Sequence, residues 1–600
     1  MSFVWTSNEL TDEQSKAVLE ENSVMLVACP GSGKTRTLTY KIAYELSRLR
    51  TKRQYIVAIT YTNRAADEIQ ERIEGLGVET SQLWIGTIHS FCLEWILKPY
   101  GVYETRLAQG FRVIDNFEQE KILKELCQSQ PGITHWDCGY YFEEEGYVLT
   151  CRDTRKHGRL NAIFENYFRS LAENRQIDFE LMLFYSSQLI QNQPFIAQIL
   201  SNIFPLILVD EFQDTKRIQY SIVSSIVRAG LDRTKLFVVG DPNQAIFDSL
   251  GGFAIEIDQL RKLCSVPINE LALTKNYRST DRLISYFSNF NVEETDIRGA
   301  GPDRAFPSYI SHNTSVEHNQ LEDELVRLIR QNIEQGVSPD EICVLAPWWV
   351  LLAGVTRRLA SALPEYEFDG PGMVPFSGNI ENFWYRLARI GLTNASPSQY
   401  VRRLRWAGDV IEGLKTEGID TSGLTAKRLL RESNSIQINQ LDGLLYLREY
   451  FDILMDRLGI AWQSHAFLLE HHNAFFESSA ARIDRLQSEG SAYLGGIDFF
   501  RRVFRHRGGI TVNTIHGVKG GEYDVVIAYG MLQGMVPHFT EEGSGDGGTN
   551  SAKRLLYVIS SRARKHLHLI SESQRMRGTR GATYSPTDAL VGLNFAYDVV

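Results

Sequence analysis

The sequence predicts an α/β protein built on two parallel β-sheets, each interrupted by a mainly helical insertion. Between residues 10 and 90, short apolar runs alternate with helical periodicity, a pattern typical of a parallel sheet with helices on its faces. Four uninterrupted apolar runs predict strands of the first sheet that are buried on both faces. These runs are VMLVA (24–28), IVAIT (56–60), LILVD (206–210) and KLFVVG (235–240).

A second sheet is predicted after about residue 305, from EICVLAP (341–347), ITVNTIHG (510–517) and DVVIAYG (524–530). Helical periodicity fills the intervals that interrupt the two sheets, as in the amphipathic LLYLREYFDILMDRL (444–458). The stretch EEGSGDGGTNS (541–551) is rich in Gly, Ser and Asn, and it predicts a surface loop.

The same patterns predict where the four parts of the chain begin and end. We expect a first sheet domain from 1–90 and 179–290, a first helical insertion from 91–178, a second sheet domain from 291–395 and 505–600, and a second, reduced insertion from 396–504.

Composition limits the class of protein. A chain of 600 residues with 43% hydrophobic content is long enough for several domains. Its first residues lack a secretory leader pattern, and no long uncharged apolar run appears, so we expect a cytoplasmic protein without membrane segments.

Seven cysteines without CxxC spacing predict free thiols. A net charge of -10 requires any nucleic-acid contact to come from a local groove.

The residues after the first predicted strand have the pattern of a phosphate-binding loop. In ACPGSGKT (28–35), the turn of Pro30, Gly31, Ser32 and Gly33 leads into a helix that begins at Lys34. Backbone N–H groups of such a loop can face phosphates, the Lys34 ammonium can reach the β and γ oxygens, and the Thr35 hydroxyl can bind Mg²⁺. Ala28 departs from the usual glycine, and a glycine turn without a ligand is the alternative.

A pair of carboxylates follows the third of these strands. Asp210 can complete the Mg²⁺ shell, and Glu211 can orient or deprotonate an attacking water. By itself such a pair is equally typical of a helix N-cap or a surface pair. Together with Lys34 it predicts a P-loop NTPase.

With these motifs in place, the chain resembles the UvrD/PcrA/Rep group of superfamily 1A DNA helicases. The matching segments follow the family's order along most of the chain: Gln14 in LTDEQSKAV, AITYTNRAADEI (58–69), GTIHS (86–90), IDFELML (177–183), DEFQDT (210–215), VVGDPNQAIF (238–247), LTKNYRST (273–280), VNTIHGVKGGEYDVVIAYG (512–530) and RLLYVISSRARKHL (554–567). The resemblance implies two RecA-like domains that use ATP and Mg²⁺ and act on single-stranded DNA or its junctions with duplex.

The resemblance also implies how ATP is recognised. Gln14 would read the adenine, Arg36 and Tyr277 would stack about the base, and Glu522 would contact the ribose.

It further implies three residues for the chemical step. Gln244 would sense the γ-phosphate or the attacking water, and Arg278 and Arg562 would contact the γ-phosphate. Phosphoryl transfer needs positive charge on the equatorial oxygens, so an arginine delivered from a second domain would couple hydrolysis to domain closure.

For DNA, the resemblance implies contacts from Tyr61, Thr62, Asn63, His89, Phe247, Thr514 and His516. Two of these, Tyr61 and Phe247, would be stacking platforms for bases, an interaction that tolerates any sequence. Taken alone, the two aromatic residues would more often be packed in a core.

The chain departs from the family in three places. Asp248-Ser249-Leu250-Gly251 stands where the family has Gly-Trp-Arg-Gly, which removes a stacking aromatic and a basic residue. Ser551-Ala552 replaces an acidic pair, and the second insertion is short.

Arginine clusters near the second insertion and in the tail predict either solvated helix faces or contacts with duplex DNA or a partner. They are Arg402, Arg403 and Arg405, then Arg501, Arg502, Arg505 and Arg507, and then Arg575, Arg577 and Arg580.

Two functions are therefore weighed. The first is an ATP-dependent 3′–5′ single-stranded DNA translocase and helicase, acting in repair or anti-phage defence. The alternative is a DNA-sensing ATPase subunit that activates a separate nuclease of the OLD family, as in Gabija-type defence, with little unwinding of its own. A small P-loop kinase or GTPase is excluded by the motifs on a second sheet domain.

Overall fold

The computed structural model describes residues 3–6, 8–370, 375–376, 382–488, 495–504, 508–539, 541, 546–578 and 581–599. The chain divides into two compact units. The first comprises Met1–Ser311, Leu532–Leu567 and Ser585–Val600, and the second comprises His312–Met531 and His568–Tyr584. The predicted boundaries of the four parts stay a prediction.

The strands, numbered along the chain, are β1 (Ser23–Ala28), β2 (Ile56–Thr60), β3 (Leu83–Thr87), β4 (Arg112–Val113), β5 (Tyr140–Glu143), β6 (Gly146–Leu149), β7 (Gln176–Ile177), β8 (Leu206–Asp210), β9 (Lys235–Gly240), β10 (Ile268–Leu273), β11 (Lys275–Asn276), β12 (Arg298–Gly299), β13 (Ile310–Asn313), β14 (Ile342–Ala346), β15 (Phe368–Asp369), β16 (Ile510–Thr514), β17 (Tyr523–Tyr529) and β18 (Ala563–Ile570).

The α-helices are α1 (Asp12–Leu19), α2 (Lys34–Arg48), α3 (Asn63–Gly75), α4 (Ile88–Cys92), α5 (Lys98–Tyr100), α6 (Asn116–Cys127), α7 (His157–Glu173), α8 (Phe179–Asn192), α9 (Pro194–Ile203), α10 (Arg217–Gly230), α11 (Ile257–Cys264), α12 (Asp281–Ser288), α13 (Leu321–Glu334), α14 (Trp349–Ala362), α15 (Phe383–Gly391), α16 (Tyr400–Thr416), α17 (Ala426–Asn434), α18 (Gly443–Leu458), α19 (Ala466–Ser488), α20 (Ile497–Arg502), α21 (Asp546–Ser561) and α22 (Asp588–Val591).

The first unit is built on a six-stranded sheet in the order β10-β1-β9-β8-β2-β3. Every neighbouring pair in it is parallel. The central strands are apolar because helices cover both faces, and all five residues of β2 are buried. In a parallel sheet the carboxyl ends of the strands meet at one edge, which is where ligands bind in open α/β folds. The phosphate loop and Asp241 follow strands at that edge, and Asp210 is the last residue of β8 there.

The second sheet has the order β13-β18-β17-β14-β16-β15. Strand β14 pairs in parallel with β16 and β17, and β15 pairs in parallel with β16. The α/β fold with two RecA-like parallel-strand sheets is therefore as predicted. The helices from α15 to α20 bury a separate aromatic core that includes Trp384, Trp406 and Phe451.

Two local predictions need correction. The interval before β8 is mostly helical, but Tyr140–Glu143 and Gly146–Leu149 form an antiparallel hairpin in it. The predicted loop at 541–551 is wrong from Asp546 onward, because those residues form the first turns of α21, while residues 542–545 lie outside the described part. Turn-favouring composition is a weak signal that packing along the rest of a helix overrides.

The arginine clusters have different environments. Arg403 is 4% exposed, and its guanidinium donates to the Ile390 carbonyl at 3.1 Å, so it caps the end of α15 and is not part of a solvated face. Burial lowers the pKa of this guanidinium. Arg505, Arg507 and Arg580 lie outside the described residues. Among the described residues, no helix is both long and apolar enough to cross a membrane.

Candidate nucleotide and DNA sites

The phosphate loop adopts a conformation that requires glycine. Gly31 and Gly33 have φ angles of +67° and +83°, in the left-handed region that glycine enters without penalty. A Cβ added at Gly31 would lie 2.5 Å from the Arg278 Cβ. The segment just before Arg278 also stabilises the loop by two hydrogen bonds. The Tyr277 amide donates to the Gly31 carbonyl at 2.9 Å, and the Asn276 Nδ2 donates to the Pro30 carbonyl at 2.8 Å. The loop and the segment that bears Arg278 are therefore held together.

Gln14 also lies against the phosphate loop. Its Nε2 donates to the Ser32 carbonyl at 2.9 Å, and its Oε1 accepts from the Thr11 amide at 3.0 Å. Gln14 is only 4% exposed. Arg36 is exposed, and Tyr277 is 39% exposed, so both side chains are open to a ligand. The arrangement makes Gln14 a support of the loop in addition to its predicted contact with adenine.

Lys34 and Glu211 face each other at the carboxyl edge of the sheet. The Lys34 Nζ lies 3.9 Å from the Glu211 Oε2, and both side chains are mostly buried. Glu211 has a φ of +54°, which is strained for a residue other than glycine and is typical of functional sites. Its amide donates to the Asp210 Oδ1 at 3.0 Å, and the Gln213 Nε2 donates to the Glu211 Oε2 at 2.6 Å. The Glu211 carboxylate is thus held in one orientation.

The donor set suits Mg²⁺ bound together with a nucleotide. The Thr35 hydroxyl and the Asp210 carboxylate are hard oxygen donors at the carboxyl edge, and Mg²⁺ usually takes one or two protein oxygens beside waters and phosphate oxygens. Among the described residues, no three His, Cys, Asp or Glu side chains form a cluster that could hold a metal by themselves. The residues therefore fit a phosphate-dependent magnesium site.

A buried carboxylate, Asp241, connects this edge to the later motifs. Asp241 is 1% exposed, and its amide donates to the Gln213 Oε1 at 3.0 Å. Its Oδ2 accepts from the Gln244 Nε2 at 2.7 Å and from the Tyr557 hydroxyl at 3.3 Å. Burial raises the pKa of the Asp241 carboxyl, while the nearby charge of Lys34 acts in the opposite direction.

The hydrogen-bonded path ends at Arg562. Its guanidinium donates to the Gln244 Oε1, and its Nε donates to the Val558 carbonyl at 3.2 Å. Arg562 is 2% exposed. Hydrogen bonds therefore run from Glu211 through Gln213, Asp241 and Gln244 to Arg562, and the ion pair of Glu211 with Lys34 extends this path to the phosphate loop. All of these residues belong to the first unit.

Arg278 lies beside the same chain segment. Its Nη1 donates to the Ser561 carbonyl at 2.9 Å, and the neighbouring Ser279 hydroxyl donates to the Ala563 carbonyl at 2.8 Å. The two arginines predicted to contact the γ-phosphate are thus brought together by backbone contacts at residues 561–563.

The predicted DNA residues of the first unit follow three strands of its sheet: Tyr61, Thr62 and Asn63 follow β2, His89 follows β3, and Phe247 lies in the segment after β9. The rings of Tyr61 and Phe247 have centroids 5.0 Å apart at an interplanar angle of 34°, and Tyr61 is 46% exposed. Tyr61 is therefore not a core residue. Thr62 caps α3 by accepting from the Ala65 amide at 3.2 Å, and Asn63 is the first residue of that helix.

His89 lies in α4, directly after β3. Its ring packs edge-on against Phe179 at 5.5 Å, and its buried Nε2 has no hydrogen-bond partner among the described residues. Burial lowers the pKa of His89 to about 4, and the nearby charge of Lys216 acts in the same direction.

Three predicted residues belong to the second unit. Thr514 ends β16, and its Oγ1 accepts from the Gly517 amide at 3.0 Å. His516 follows it in a turn, and Glu522 is exposed just before β17. Their predicted contacts with DNA and ribose stay predictions.

Sequence reasoning missed three members of the hydrogen-bonded path or its support: Gln213, Asp241 and Tyr557. All three lie inside the motifs DEFQDT, GDPNQ and RLLYV, so the motifs contained the signal. What the motifs do not state is that residues up to 318 positions apart share hydrogen bonds.

Comparison with known proteins extends over both units. Residues 10–262 match the UvrD/REP helicase N-terminal domain, and residues 501–574 match the UvrD-like helicase C-terminal domain, together more than half of the chain. The chain is 23% identical to the ATP-dependent DNA helicase PcrA of Staphylococcus aureus (strain MRSA252), over 97% of this chain and 85% of that protein. It is also 23% identical to the PcrA of Staphylococcus epidermidis (strain ATCC 12228 / FDA PCI 1200), over 96% of this chain and 85% of that protein.

Proposed function

This chain belongs to the UvrD-like family of ATP-dependent DNA helicases, and we propose that it moves 3′ to 5′ along single-stranded DNA by hydrolysing Mg²⁺-bound ATP. The observation that supports this most directly is the path from Lys34 to Arg562, which consists of the Lys34–Glu211 ion pair and the hydrogen bonds that follow it. It connects the phosphate loop to the arginine that the family resemblance assigns to the γ-phosphate. A cytoplasmic location is part of this proposal, because the proposed substrate is DNA.

In the proposed chemical step, the Glu211 carboxylate takes a proton from water as the water oxygen attacks the γ-phosphorus and the bond to the β,γ-bridging oxygen breaks. Gln213 holds the carboxylate in place for this transfer, at 2.6 Å. Mg²⁺, bound by Thr35 and Asp210, would offset charge on the phosphate oxygens. Lys34, Arg278 and Arg562 would stabilise the negative charge on the phosphate oxygens in the transition state.

DNA binding is proposed at the face formed by Tyr61 and Phe247, together with Thr62, Asn63 and His89. Base stacking on aromatic rings contributes about 1 to 3 kcal/mol per base and does not depend on sequence, as a translocase requires. Phe247 follows Gln244 by three residues, so a base stacked on Phe247 and the γ-phosphate contact of Gln244 would belong to one short segment. Thr514 and His516 are proposed to contact DNA from the second unit, and Glu522 to contact the ribose.

The test is ATP turnover with and without single-stranded DNA. We expect DNA to stimulate hydrolysis by the wild-type protein, and Lys34→Ala and Arg562→Ala to abolish it. Lys52→Ala, at an exposed lysine in the turn before β2, is the matched control and should behave as wild type. Turnover that is the same with and without DNA would contradict the proposal. The direction of movement is measured by displacement of streptavidin bound at one end of the DNA. Movement from 3′ to 5′ should displace streptavidin from the 5′ end and not from the 3′ end.

The second candidate is a DNA-sensing ATPase subunit that activates a separate OLD-family nuclease in anti-phage defence. It is favoured by the departure after Phe247, where Ser249 and the 51% exposed Leu250 replace a stacking aromatic and a basic residue. Weaker stacking of bases would reduce strand separation while preserving ATP hydrolysis. Unwinding of a 3′-tailed duplex, measured with and without such a nuclease, separates the two functions. Efficient unwinding by the chain alone excludes the subunit function.

A further inference from the structure

Asp248 and Arg554 form an ion pair that the proposed chemistry does not use. The Arg554 Nη1 lies 2.6 Å from the Asp248 Oδ2. The Arg554 side chain is 17% exposed and the Asp248 side chain 55%. The Arg554 Nε has no hydrogen-bond partner in the described part of the chain, so Asp248 is a principal acceptor for a mostly buried cation. Leaving such a cation without its partner is costly.

The position of Asp248 connects the pair to the DNA face. Asp248 follows Phe247, whose ring pairs with Tyr61, and it opens a 3₁₀ turn that ends at Gly251. Gly251 has a φ of +88°, and a Cβ there would lie 2.8 Å from the Tyr141 ring of the hairpin. The turn is therefore closely packed, and Asp248 is the residue directly after Phe247.

The position of Arg554 connects the pair to the ATP site. Arg554 lies on α21, and Tyr557, three residues later, shares its helix face. Tyr557 donates to Asp241, and Arg562 directly after the helix donates to Gln244. The segment from Asp241 to Asp248 thus meets α21 and the residue that follows it at three side-chain contacts.

We propose that Asp248 and Arg554 are positioning residues through which single-stranded DNA on the Tyr61–Phe247 face sets the placement of Arg562 for ATP hydrolysis. This inference rests on the proposed function and deepens it, because it assigns the stimulation by DNA to a specific contact. Without the pair, Arg562 keeps its hydrogen bond to Gln244, and turnover without DNA is preserved. The response of that turnover to DNA is lost.

The experiment compares ATP turnover without DNA and with saturating oligo(dT) for Asp248→Ala, Arg554→Ala and the double variant. Each single variant should lose about tenfold in DNA stimulation, a usual size for coupling between two sites. Turnover without DNA should be unchanged, and the double variant should be no worse than either single variant, since both break the same contact. Asp248→Glu, which keeps the charge, should retain most of the stimulation. Asp258→Ala, which breaks the exposed pair of Asp258 with Arg261 at 2.9 Å, is the matched control.

Wild-type stimulation in Asp248→Ala, equal losses with and without DNA, or additive losses in the double variant would each overturn the positioning role. Asp248→Asn replaces Asp248→Ala if the latter lowers the melting temperature. If DNA does not stimulate ATP turnover by the wild-type protein, both the proposed function and this inference are refuted. If DNA stimulates ATP turnover equally in the wild type and in Asp248→Ala, the positioning role of the pair is refuted and the proposed function stands.

Discussion

The Tyr557 hydroxyl donates a hydrogen bond to the Asp241 carboxylate, 316 positions earlier in the chain, at 3.3 Å. Both residues are buried, and the Tyr557 ring also packs edge-on against Phe287 at 5.4 Å. The hydroxyl helps to orient the carboxylate that holds Gln244, and Gln244 in turn holds Arg562.

Tyr557→Phe is expected to preserve the ring packing and remove one donor to Asp241. The kcat for ATP should fall about tenfold, because loss of alignment at Gln244 and Arg562 acts on the transition state, while the KM changes little. Steady-state kinetics check this. Tyr597→Phe, which loses a hydroxyl contact with Tyr286 at 3.1 Å, is the control and should keep the wild-type kcat. A raised KM at unchanged kcat would contradict the expectation.

Gly31→Ala is expected to abolish ATP binding. The new Cβ meets the Arg278 Cβ at 2.5 Å, in a backbone conformation that also disfavours alanine. Gly77→Ala is a matched control, because Gly77 has a similar φ of +72° but no atom within 4 Å of the added Cβ. Gly77→Ala should cost about 1 kcal/mol of stability through strain alone and leave nucleotide affinity intact. Binding of a fluorescent ATP analogue and thermal unfolding distinguish the two variants.

His89 predicts a pH dependence of stability. Its pKa of about 4 in the folded protein lies below the value of about 6.5 for an unfolded histidine. The unfolded chain therefore takes up a proton that the folded protein does not. The stability from a neutral His89 is fully present above about pH 6.5 and is lost as the pH falls toward 4, by up to roughly 3 kcal/mol. The difference in unfolding free energy between wild type and His89→Gln should follow this curve, and a difference independent of pH would refute it.

Asp598 is expected to hold the carboxyl-terminal segment against α12 and β13 within the first unit. Its Oδ2 lies 2.7 Å from the Arg282 Nη1 and accepts from the Ile310 amide at 2.7 Å. Partial burial raises the pKa of the Asp598 carboxyl, but contacts with Arg282 and the Ile310 amide outweigh it and lower the pKa.

Asp598→Asn should therefore cost about 1 kcal/mol of stability at pH 7. With a lowered pKa in the folded protein, this contribution is present above the unfolded value of about 3.9 and disappears as the pH falls through the folded value. Chemical denaturation at a series of pH values from 7 downward measures it. Asp588→Asn, near the start of the short helix α22, is a control in the same segment. A loss of stability that is the same at every pH in the series would show that the ion pair does not contribute.

The sequence predicted the strands of both sheets well because a strand buried on two faces must be apolar throughout, as in VMLVA and LILVD. It failed at Asp546–Ser551, where glycine, asparagine and serine favour a turn in isolation but the chain continues as α21. It also missed the hairpin at Tyr140–Leu149, whose pairing depends on contacts that helical periodicity does not reveal.

The sequence by itself determined that a phosphate loop, an acidic strand end and two arginines occur in the order typical of the UvrD-like family. Only the tertiary structure decided how they are joined, because Gln213, Asp241 and Tyr557 meet through folding of segments far apart in the chain. The same holds for Asp248 and Arg554, which lie 306 positions apart in the chain. The sequence alone does not predict that they pair, and only the packing of the turn and of helix α21 places their charged groups 2.6 Å apart. The type of each residue determines which hydrogen bonds its side chain can donate or accept. The packing of the first unit determines which residue becomes its partner.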